Sequence, residues 1–213
     1  MKQELIKRIL LWSIFVFAVA GISLDVYNHS DGGDILKGLS NFKFFTLQSN
    51  ALILIYAFVS IFMKRYSSVN SFNNILGPVT SYIVLTGVVY LIILEPIYEL
   101  YGMERLSSTI LHYITPPLMF IFWLFFEQRR YSYEEFFRWL IYPLVFMAWG
   151  LFRALVFDDY LYPFFDTQQY GLFVAVYLLL VAIGFSCMIL LLIFINNNYL
   201  TNKRVAKKVK KVG

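Results

Sequence analysis

Residues 171–195 read GLFVAVYLLLVAIGFSCMILLLIFI and contain no charged side chain. A helix needs about 20 predominantly apolar residues to cross the hydrocarbon core of a bilayer, so this stretch predicts a transmembrane helix. Five further apolar runs of comparable length precede it, at residues 9–24, 44–63, 75–94, 108–126 and 140–157. The sequence therefore predicts six transmembrane helices, joined by loops too short to fold on their own.

The composition of the whole chain is that of an integral membrane protein. Of its 213 residues, 60% are hydrophobic and 15% are charged, whereas soluble domains have about 25% charged residues. We predict an all-α, polytopic membrane protein in which residues 1–213 form a single six-helix transmembrane domain. The lone cysteine, Cys187, excludes a disulfide framework and a cysteine-based zinc site.

The positive charges predict the orientation. All but four of the 18 Lys and Arg lie in the N-terminus, in the second and fourth loops, or in a basic C-terminal tail at residues 203–213. Because positively charged loops stay on the cytoplasmic side, both termini are predicted to be cytoplasmic. These loop and tail residues account for the net charge of +5, so the charge does not indicate a nucleic-acid partner. Membrane lipids are the expected partners.

Polar side chains inside the predicted helices collect at one depth, in the outer leaflet. The second helix carries Thr46, Gln48, Ser49 and Asn50 in its first two turns. Thr46, Ser49 and Asn50 share one face because they are spaced i, i+3 and i+4, and a face this polar is expected to point into the bundle or a cavity. Each residue taken alone is best interpreted as a hydrogen-bonding link between membrane helices.

His112 is the one histidine inside a predicted span, and it lies near the same depth. Pro116 and Pro117 follow it and cannot donate to the carbonyls of His112 and Tyr113. We therefore expect a kinked helix with a loosened turn around the histidine. A histidine in this position is suited to accept or pass a proton, and a purely structural histidine is the equally weighted alternative.

A threonine and a histidine at one depth suggest a hydroxyl nucleophile and its general base, the minimal form of acyl-transfer chemistry. Such a site needs a donor for the oxyanion and often a carboxylate that orients the histidine. The sequence leaves several candidates for both roles. The donors or substrate-binding residues are Gln48, Ser49, Asn50 and Arg153, and the carboxylates are Asp25, Glu95 and Asp166.

Arg153 lies one turn before the outer end of the fifth run. We expect it to form an internal ion pair with Asp25, Glu95 or Asp166 and to hold an acidic substrate head. Snorkelling of its side chain to the outer interface is compatible with this role.

Metal and cofactor chemistry are not indicated. His29 with Asp31 and Asp34 is too weak a pattern to predict a metal site, and a solvated loop is the simpler interpretation. The sequence contains no GxSxG, HExxH, Walker or GxGxxG motif, so soluble hydrolases, metalloproteases and nucleotide-binding proteins are unsupported. We expect no metal and no cofactor.

Three short segments occur in a fixed order along the chain. They are Lys43-Phe44-Phe45-Thr46, Leu111-His112-Tyr113-Ile114-Thr115-Pro116-Pro117 and Tyr162-Pro163-Phe164-Phe165-Asp166. With the six-span layout, they resemble the androgen-induced-gene family of membrane proteins, which includes the androgen-dependent regulator of tissue factor pathway inhibitor and bacterial relatives. The matching family motifs are Lys-aromatic-x-Thr, His-x-x-x-Pro and Tyr-Pro-Phe-Leu.

The resemblance implies a threonine hydrolase. Animal members cleave fatty acid esters of hydroxy fatty acids, and their nucleophilic threonine and essential histidine correspond to Thr46 and His112. Tyr162, in the third segment, is expected to support the site. The short loops and basic tail are typical of a bacterial member. We therefore expect a hydrolase or acyltransferase of fatty-acyl esters in the bacterial cell membrane.

Two other functions stay open at this point. In a noncatalytic membrane scaffold or lipid-binding protein, Thr46 and His112 would only hydrogen-bond each other. A small transporter or channel would use the outer polar residues as an entry site. The transporter ranks last, because the inner halves of the helices are almost purely apolar and no inverted repeat is visible.

Overall fold

The structure, a computed structural model, describes residues 2–63 and 74–200. The regular elements in these two ranges are all helical. The positively charged loop at Lys64 and Arg65 and the predicted basic tail at residues 203–213 lie outside the described residues.

Six helices in the described ranges are long and apolar enough to cross a membrane, which confirms the predicted all-α, polytopic fold. In chain order the α-helices are α1 (Lys2–Asn28), α2 (Ile35–Leu39), α3 (Phe45–Phe62), α4 (Leu76–Leu94), α5 (Gly102–Phe126), α6 (Glu135–Phe157), α7 (Thr167–Tyr170) and α8 (Phe173–Tyr199). All except the short α2 and α7 are of spanning length. The chain is an integral membrane protein, and the cytoplasmic location of its termini stays a prediction.

The observed helices extend beyond several of the apolar runs. The first run, at residues 9–24, lies inside a helix that covers Lys2–Asn28, and the run at residues 108–126 lies inside α5. An apolar run ends where polar side chains begin. The backbone hydrogen bonds of a helix continue past that point, because they do not depend on side-chain polarity.

The chain divides into two compact units, Met1–Glu127 with helices α1 to α5 and Gln128–Gly213 with helices α6 to α8. The single six-helix domain inferred from the sequence stays a prediction. In the first unit, α1 packs against α3 and α5, and α4 packs against the same two helices. Their contact surfaces are mostly apolar, and the apolar side chains with no exposed area include Ile14, Ala18, Ile53, Ile83 and Met119.

In the second unit, α6 packs against α8, and the turn Pro163–Phe165 packs on both. Gly150 in α6 faces the ring of Phe165, and a Cβ built at Gly150 would lie 2.6 Å from Cζ of that ring. The glycine therefore lets the turn approach α6 closely. The apolar contact between the two helices includes Phe146, Val174 and Phe185, which are buried.

Polar contacts in the second unit tie the other end of its helices together. Arg129 binds both carboxylate oxygens of Glu135 at 2.7 and 2.6 Å. The Asn196 side chain donates to the Arg129 carbonyl at 3.0 Å and accepts from the Tyr131 N–H at 3.0 Å. These bonds connect the start of α6 to the end of α8, so they serve the packing of the unit.

Two spanning helices of the first unit contain a π-helical turn, Tyr90–Leu94 in α4 and Ile110–Ile114 in α5. Such turns are rare and frequently lie at functional sites. The turn in α5 contains His112 and precedes Pro116 and Pro117, so the loosened turn predicted around the histidine is present in π-helical form. In this turn the Thr115 N–H bonds to the Ile110 carbonyl, one residue earlier than in an α-helix.

Candidate active site

Thr46 and His112 meet between α3 and α5. Thr46 Oγ1 lies 3.2 Å from His112 Nε2, although 66 residues separate the two in sequence. Both side chains are partly buried. The two residues that the sequence predicts at one depth are therefore in contact within the first unit.

The contacts of the other ring nitrogen of His112, Nδ1, show which of the two nitrogens carries the hydrogen. His112 Nδ1 lies 2.9 Å from the Ser108 carbonyl oxygen and 3.2 Å from Ser108 Oγ. A carbonyl oxygen can only accept a hydrogen bond, so we assign the hydrogen to Nδ1. Nε2 then has a free lone pair directed at the Thr46 hydroxyl, which is the tautomer that a general base requires.

The start of α3 holds Thr46 in place. The helix begins at Phe45, after Phe44 in an extended conformation, so Thr46 lies in the first turn. Ser49 Oγ donates to the Thr46 carbonyl at 3.1 Å, and Asn50 Nδ2 donates to the same oxygen at 2.9 Å. Thr46, Ser49 and Asn50 therefore share a face that points into the unit, as their spacing predicted.

Asn50 links α3 to the π-helical turn of α5. Its Nδ2 also donates to the Leu111 carbonyl at 3.3 Å, and its Oδ1 accepts from Thr115 Oγ1 at 2.7 Å. The Leu111 carbonyl is open to the Asn50 side chain because the Thr115 N–H bonds to Ile110 instead. Asn50 and Thr115 have no exposed area, so this link fixes the position of the histidine turn against the threonine helix.

Helix α4 closes the site from a third direction. Ser49 Oγ lies 3.0 Å from Thr86 Oγ1, and both residues are buried. At the next residue, Gly87, a Cβ would lie 2.9 Å from the His112 carbonyl oxygen. Only a glycine permits this approach, which brings α4 beside the carbonyl that Pro116 leaves without its usual donor.

Tyr90 is a site residue that the sequence did not single out. Its ring stacks on the His112 ring, with centroids 3.7 Å apart and planes 11° from parallel. Tyr90 is 3% exposed. Ser108 and Thr115 were also missed, although their positions four residues before and three residues after His112 place them on its helix face. For Tyr90 the one available signal was its position near the end of the third apolar run.

The predicted donors on α3 are used within the unit. Gln48 Nε2 donates to the Phe42 carbonyl at 2.8 Å. The two amide hydrogens of Asn50 are directed at the carbonyls of Thr46 and Leu111, and Ser49 bonds to Thr46 and Thr86. These side chains support the helix that carries the threonine.

The three candidate carboxylates have different surroundings. Asp25 accepts a hydrogen bond from Asn41 Nδ2 at 3.0 Å. Glu95 Oε1 forms a 2.6 Å ion pair with Arg105, and this guanidinium holds the pKa of Glu95 below its ordinary value of 4.5. Glu95 is the carboxylate of the three that interacts electrostatically with His112, although it makes no direct hydrogen bond to the ring among the described residues.

Arg153 forms an ion pair with Asp159, a carboxylate that was not among the predicted partners. Its Nε donates to Asp159 Oδ2 at 3.0 Å, its NH2 group bonds to the same oxygen, and the guanidinium lies over the Trp149 ring. Asp159 follows the end of α6 closely, so a carboxylate six residues away in sequence satisfies the charge locally. Sequence spacing could not rank this neighbour above more distant acids.

Asp166 and Tyr162 also lie in the second unit. Asp166 accepts the N–H of Gln169 at 2.8 Å and caps the short helix α7. Tyr162 stacks on Phe164, with ring centroids 5.2 Å apart. These contacts are local to the turn that packs on α6 and α8, and the supporting roles predicted for both residues stay predictions.

Comparison of the chain with models of known protein families, with curated proteins and with solved structures gave no match. The resemblance to the androgen-induced-gene family therefore stays a prediction that depends on the three sequence segments. Two of those segments supply Thr46 and His112, which are in contact.

Proposed function

We propose that the protein is an intramembrane threonine/histidine hydrolase or acyltransferase that acts on lipid esters. The observation that carries the proposal is the 3.2 Å contact between Thr46 Oγ1 and His112 Nε2, with the opposite ring nitrogen held by a carbonyl. A hydroxyl beside the unprotonated nitrogen of a fixed imidazole is the arrangement that nucleophilic acyl transfer requires.

The proposed reaction has two steps. Thr46 Oγ attacks the ester carbonyl carbon while its proton passes to His112 Nε2, and the alkoxide leaves with that proton as an alcohol. Water, or an acceptor alcohol, then attacks the acyl-threonine and gives its proton to Nε2. The proton returns to Thr46 Oγ as the acid or new ester departs, so the enzyme is regenerated.

The oxyanion that forms in both steps needs hydrogen-bond donors. Backbone N–H groups in the first turn of a helix have no partner within the helix, and the positive end of the helix dipole lies there. Thr46 lies in the first turn of α3. We therefore propose these backbone N–H groups as the donors, with Glu95 as the carboxylate that acts on His112 from a distance.

The substrate class follows from the membrane setting and the family resemblance. A lipid ester in the outer leaflet would enter laterally, place its acyl chain among the apolar side chains and present its carbonyl to Thr46. Fatty acid esters of hydroxy fatty acids are the substrates that the resemblance suggests, and the bacterial cell membrane is the proposed location.

The decisive experiment is labelling of the purified full-length protein by a fluorescent fluorophosphonate, which traps an activated hydroxyl covalently. We expect labelling of the wild type and at least a 100-fold lower rate in Thr46→Ala and His112→Ala, because the nucleophile or its base is lost. Mass spectrometry of the labelled peptide identifies the modified residue.

A matched control is Thr80→Ala. Thr80 has no exposed area and its hydroxyl donates to the Leu76 carbonyl within α4, so this variant should label at the wild-type rate. Folded His112→Ala protein that labels as fast as the wild type would contradict the proposed mechanism.

A noncatalytic scaffold is the second candidate. The bonds that connect Ser49 to Thr86 and Asn50 to Thr115 are interhelical links of the kind that hold membrane bundles together. In this case the Thr46–His112 contact would be one more such link, and well-folded wild-type protein would show no labelling.

A further inference from the structure

We infer that Tyr90 is a positioning residue whose ring stabilises the positive charge that His112 gains when it takes the Thr46 proton. The inference rests on the proposed function, since that charge forms only if His112 acts as a base. Tyr90 comes from α4, so the site draws on a third helix in addition to α3 and α5.

The geometry of the ring pair carries the inference. Two neutral aromatic rings prefer edge-to-face or offset arrangements, because their negative faces repel each other. Other tyrosines in the first unit follow this preference, with interplanar angles of 67° for Tyr56–Phe122 and 74° for Phe45–Tyr82. Tyr90 and His112 are instead almost parallel, at 11° and 3.7 Å.

A parallel stack becomes favourable when one ring is a cation, because the negative face of the other then attracts it. The arrangement thus favours the imidazolium over the neutral imidazole. An interaction that is stronger in the transition state than in the ground state raises the rate of the chemical step. The buried position of Tyr90, which is 3% exposed, strengthens the attraction by excluding water.

The other groups around His112 agree with this role. Thr46 is at Nε2 and Ser108 is at Nδ1, so neither carries a charge that would neutralise the imidazolium. Glu95 interacts with His112 from a distance, but one of its oxygens is bound to Arg105. The face of the Tyr90 ring is therefore the group in direct contact that responds to the new charge.

The hydroxyl of Tyr90 is not required for this role. It is buried close to Ser108 and Glu95, but it makes no hydrogen bond of ordinary geometry to a described residue. Tyr90→Phe therefore keeps the stacked ring and removes only the hydroxyl, whereas Tyr90→Leu removes the ring and keeps an apolar side chain.

The test measures the turnover of 4-nitrophenyl octanoate by full-length protein in lipid nanodiscs. We expect Tyr90→Leu to lower kcat about 10- to 30-fold with KM changed by less than about twofold. Tyr90→Phe should stay within about threefold of the wild type. Tyr56→Leu is the matched control, because it removes a buried tyrosine of the same unit that packs edge-to-face on Phe122, and it should leave kcat per folded molecule unchanged.

A second series keeps the inference testable if Tyr90→Leu does not fold. Phenylalanine with zero to three fluorine atoms is introduced at position 90, which weakens the negative face of the ring while nearly preserving its shape. The logarithm of kcat should fall steadily with each fluorine. Equal kcat across the series, or equal loss in Tyr90→Phe and Tyr90→Leu, would overturn the inference while leaving fluorophosphonate labelling of Thr46 intact. Wild-type protein without labelling would instead overturn the proposed function.

Discussion

The two units of the chain bury polar side chains in different places. Among the described residues of the second unit, the buried polar side chains are Glu135, at the start of α6, and Asn196, in the last turn of α8. In the first unit, Ser49, Asn50, Thr86, Ser108 and Thr115 are buried inside the spans. Polar groups at helix ends can be satisfied by neighbouring backbone, whereas polar groups within a span need partners inside the bundle.

The two buried asparagines show how structural bonding differs from the bonding around a candidate site. The Asn196 side chain bonds to the backbone of Arg129 and Tyr131. The Asn50 side chain bonds to Thr46, to Leu111 and to Thr115, and these surround a hydroxyl–imidazole contact. The bonds of Asn196 therefore hold two helices together. The bonds of Asn50 also fix the relative position of two groups that can react.

The largest effect is expected when Asn50 is replaced by alanine, with the same replacement of Asn196 as its control. Asn50→Ala should destabilise the protein by about 2 to 3 kcal/mol, because it removes three hydrogen bonds inside the unit, to two carbonyls and a hydroxyl. It should also slow fluorophosphonate labelling of Thr46 at least tenfold. The measurements are unfolding in detergent and the labelling rate per folded molecule.

Asn196→Ala is the control for that prediction. It removes a buried asparagine with comparable bonds, so a similar loss of stability is expected with an unchanged labelling rate. If both variants slow labelling equally, the Asn50 network has no special relation to the site.

A smaller effect is expected at the two glycines that allow close approach. Gly87→Ala places a Cβ 2.9 Å from the His112 carbonyl oxygen, so α4 has to move away from the histidine turn. We expect a loss of about 1 to 3 kcal/mol and a severalfold lower labelling rate. Gly150→Ala meets the Phe165 ring at 2.6 Å and should cost stability without slowing the labelling. Unchanged labelling in Gly87→Ala would show that the approach of α4 is irrelevant to the site.

The smallest effect concerns the ion pair beside the site. Arg105 lowers the pKa of Glu95, so the stabilisation by this pair is complete above the ordinary carboxyl pKa and is lost as the pH falls through the folded value. At pH 7, Glu95→Gln should lower the melting temperature slightly, and the difference from the wild type should vanish in the acid range. A difference that persists at pH 2 to 3 would mean that packing, not charge, is responsible.

Much of the fold was accessible from the sequence because its causes are local. Hydropathy depends on consecutive residues, so the six spans were predictable to within a few residues at several of their ends. The helical period places Thr46, Ser49 and Asn50 on one face wherever the helix lies. Counting residues from the ends of the spans brought Thr46 and His112 to the same depth, which is a condition for their contact but does not determine it.

The tertiary structure determined which side chains contact one another. Nothing in the sequence indicated that Tyr90 would stack on His112, that Glu95 would bind Arg105 or that Arg153 would take Asp159 as its partner. These choices depend on which helix faces pack together and how closely. Small residues such as Gly87 and Gly150 and the π-helical turns of α4 and α5 control that approach. A residue's depth follows from its own helix, whereas its neighbour at that depth is determined by the packing of all the others.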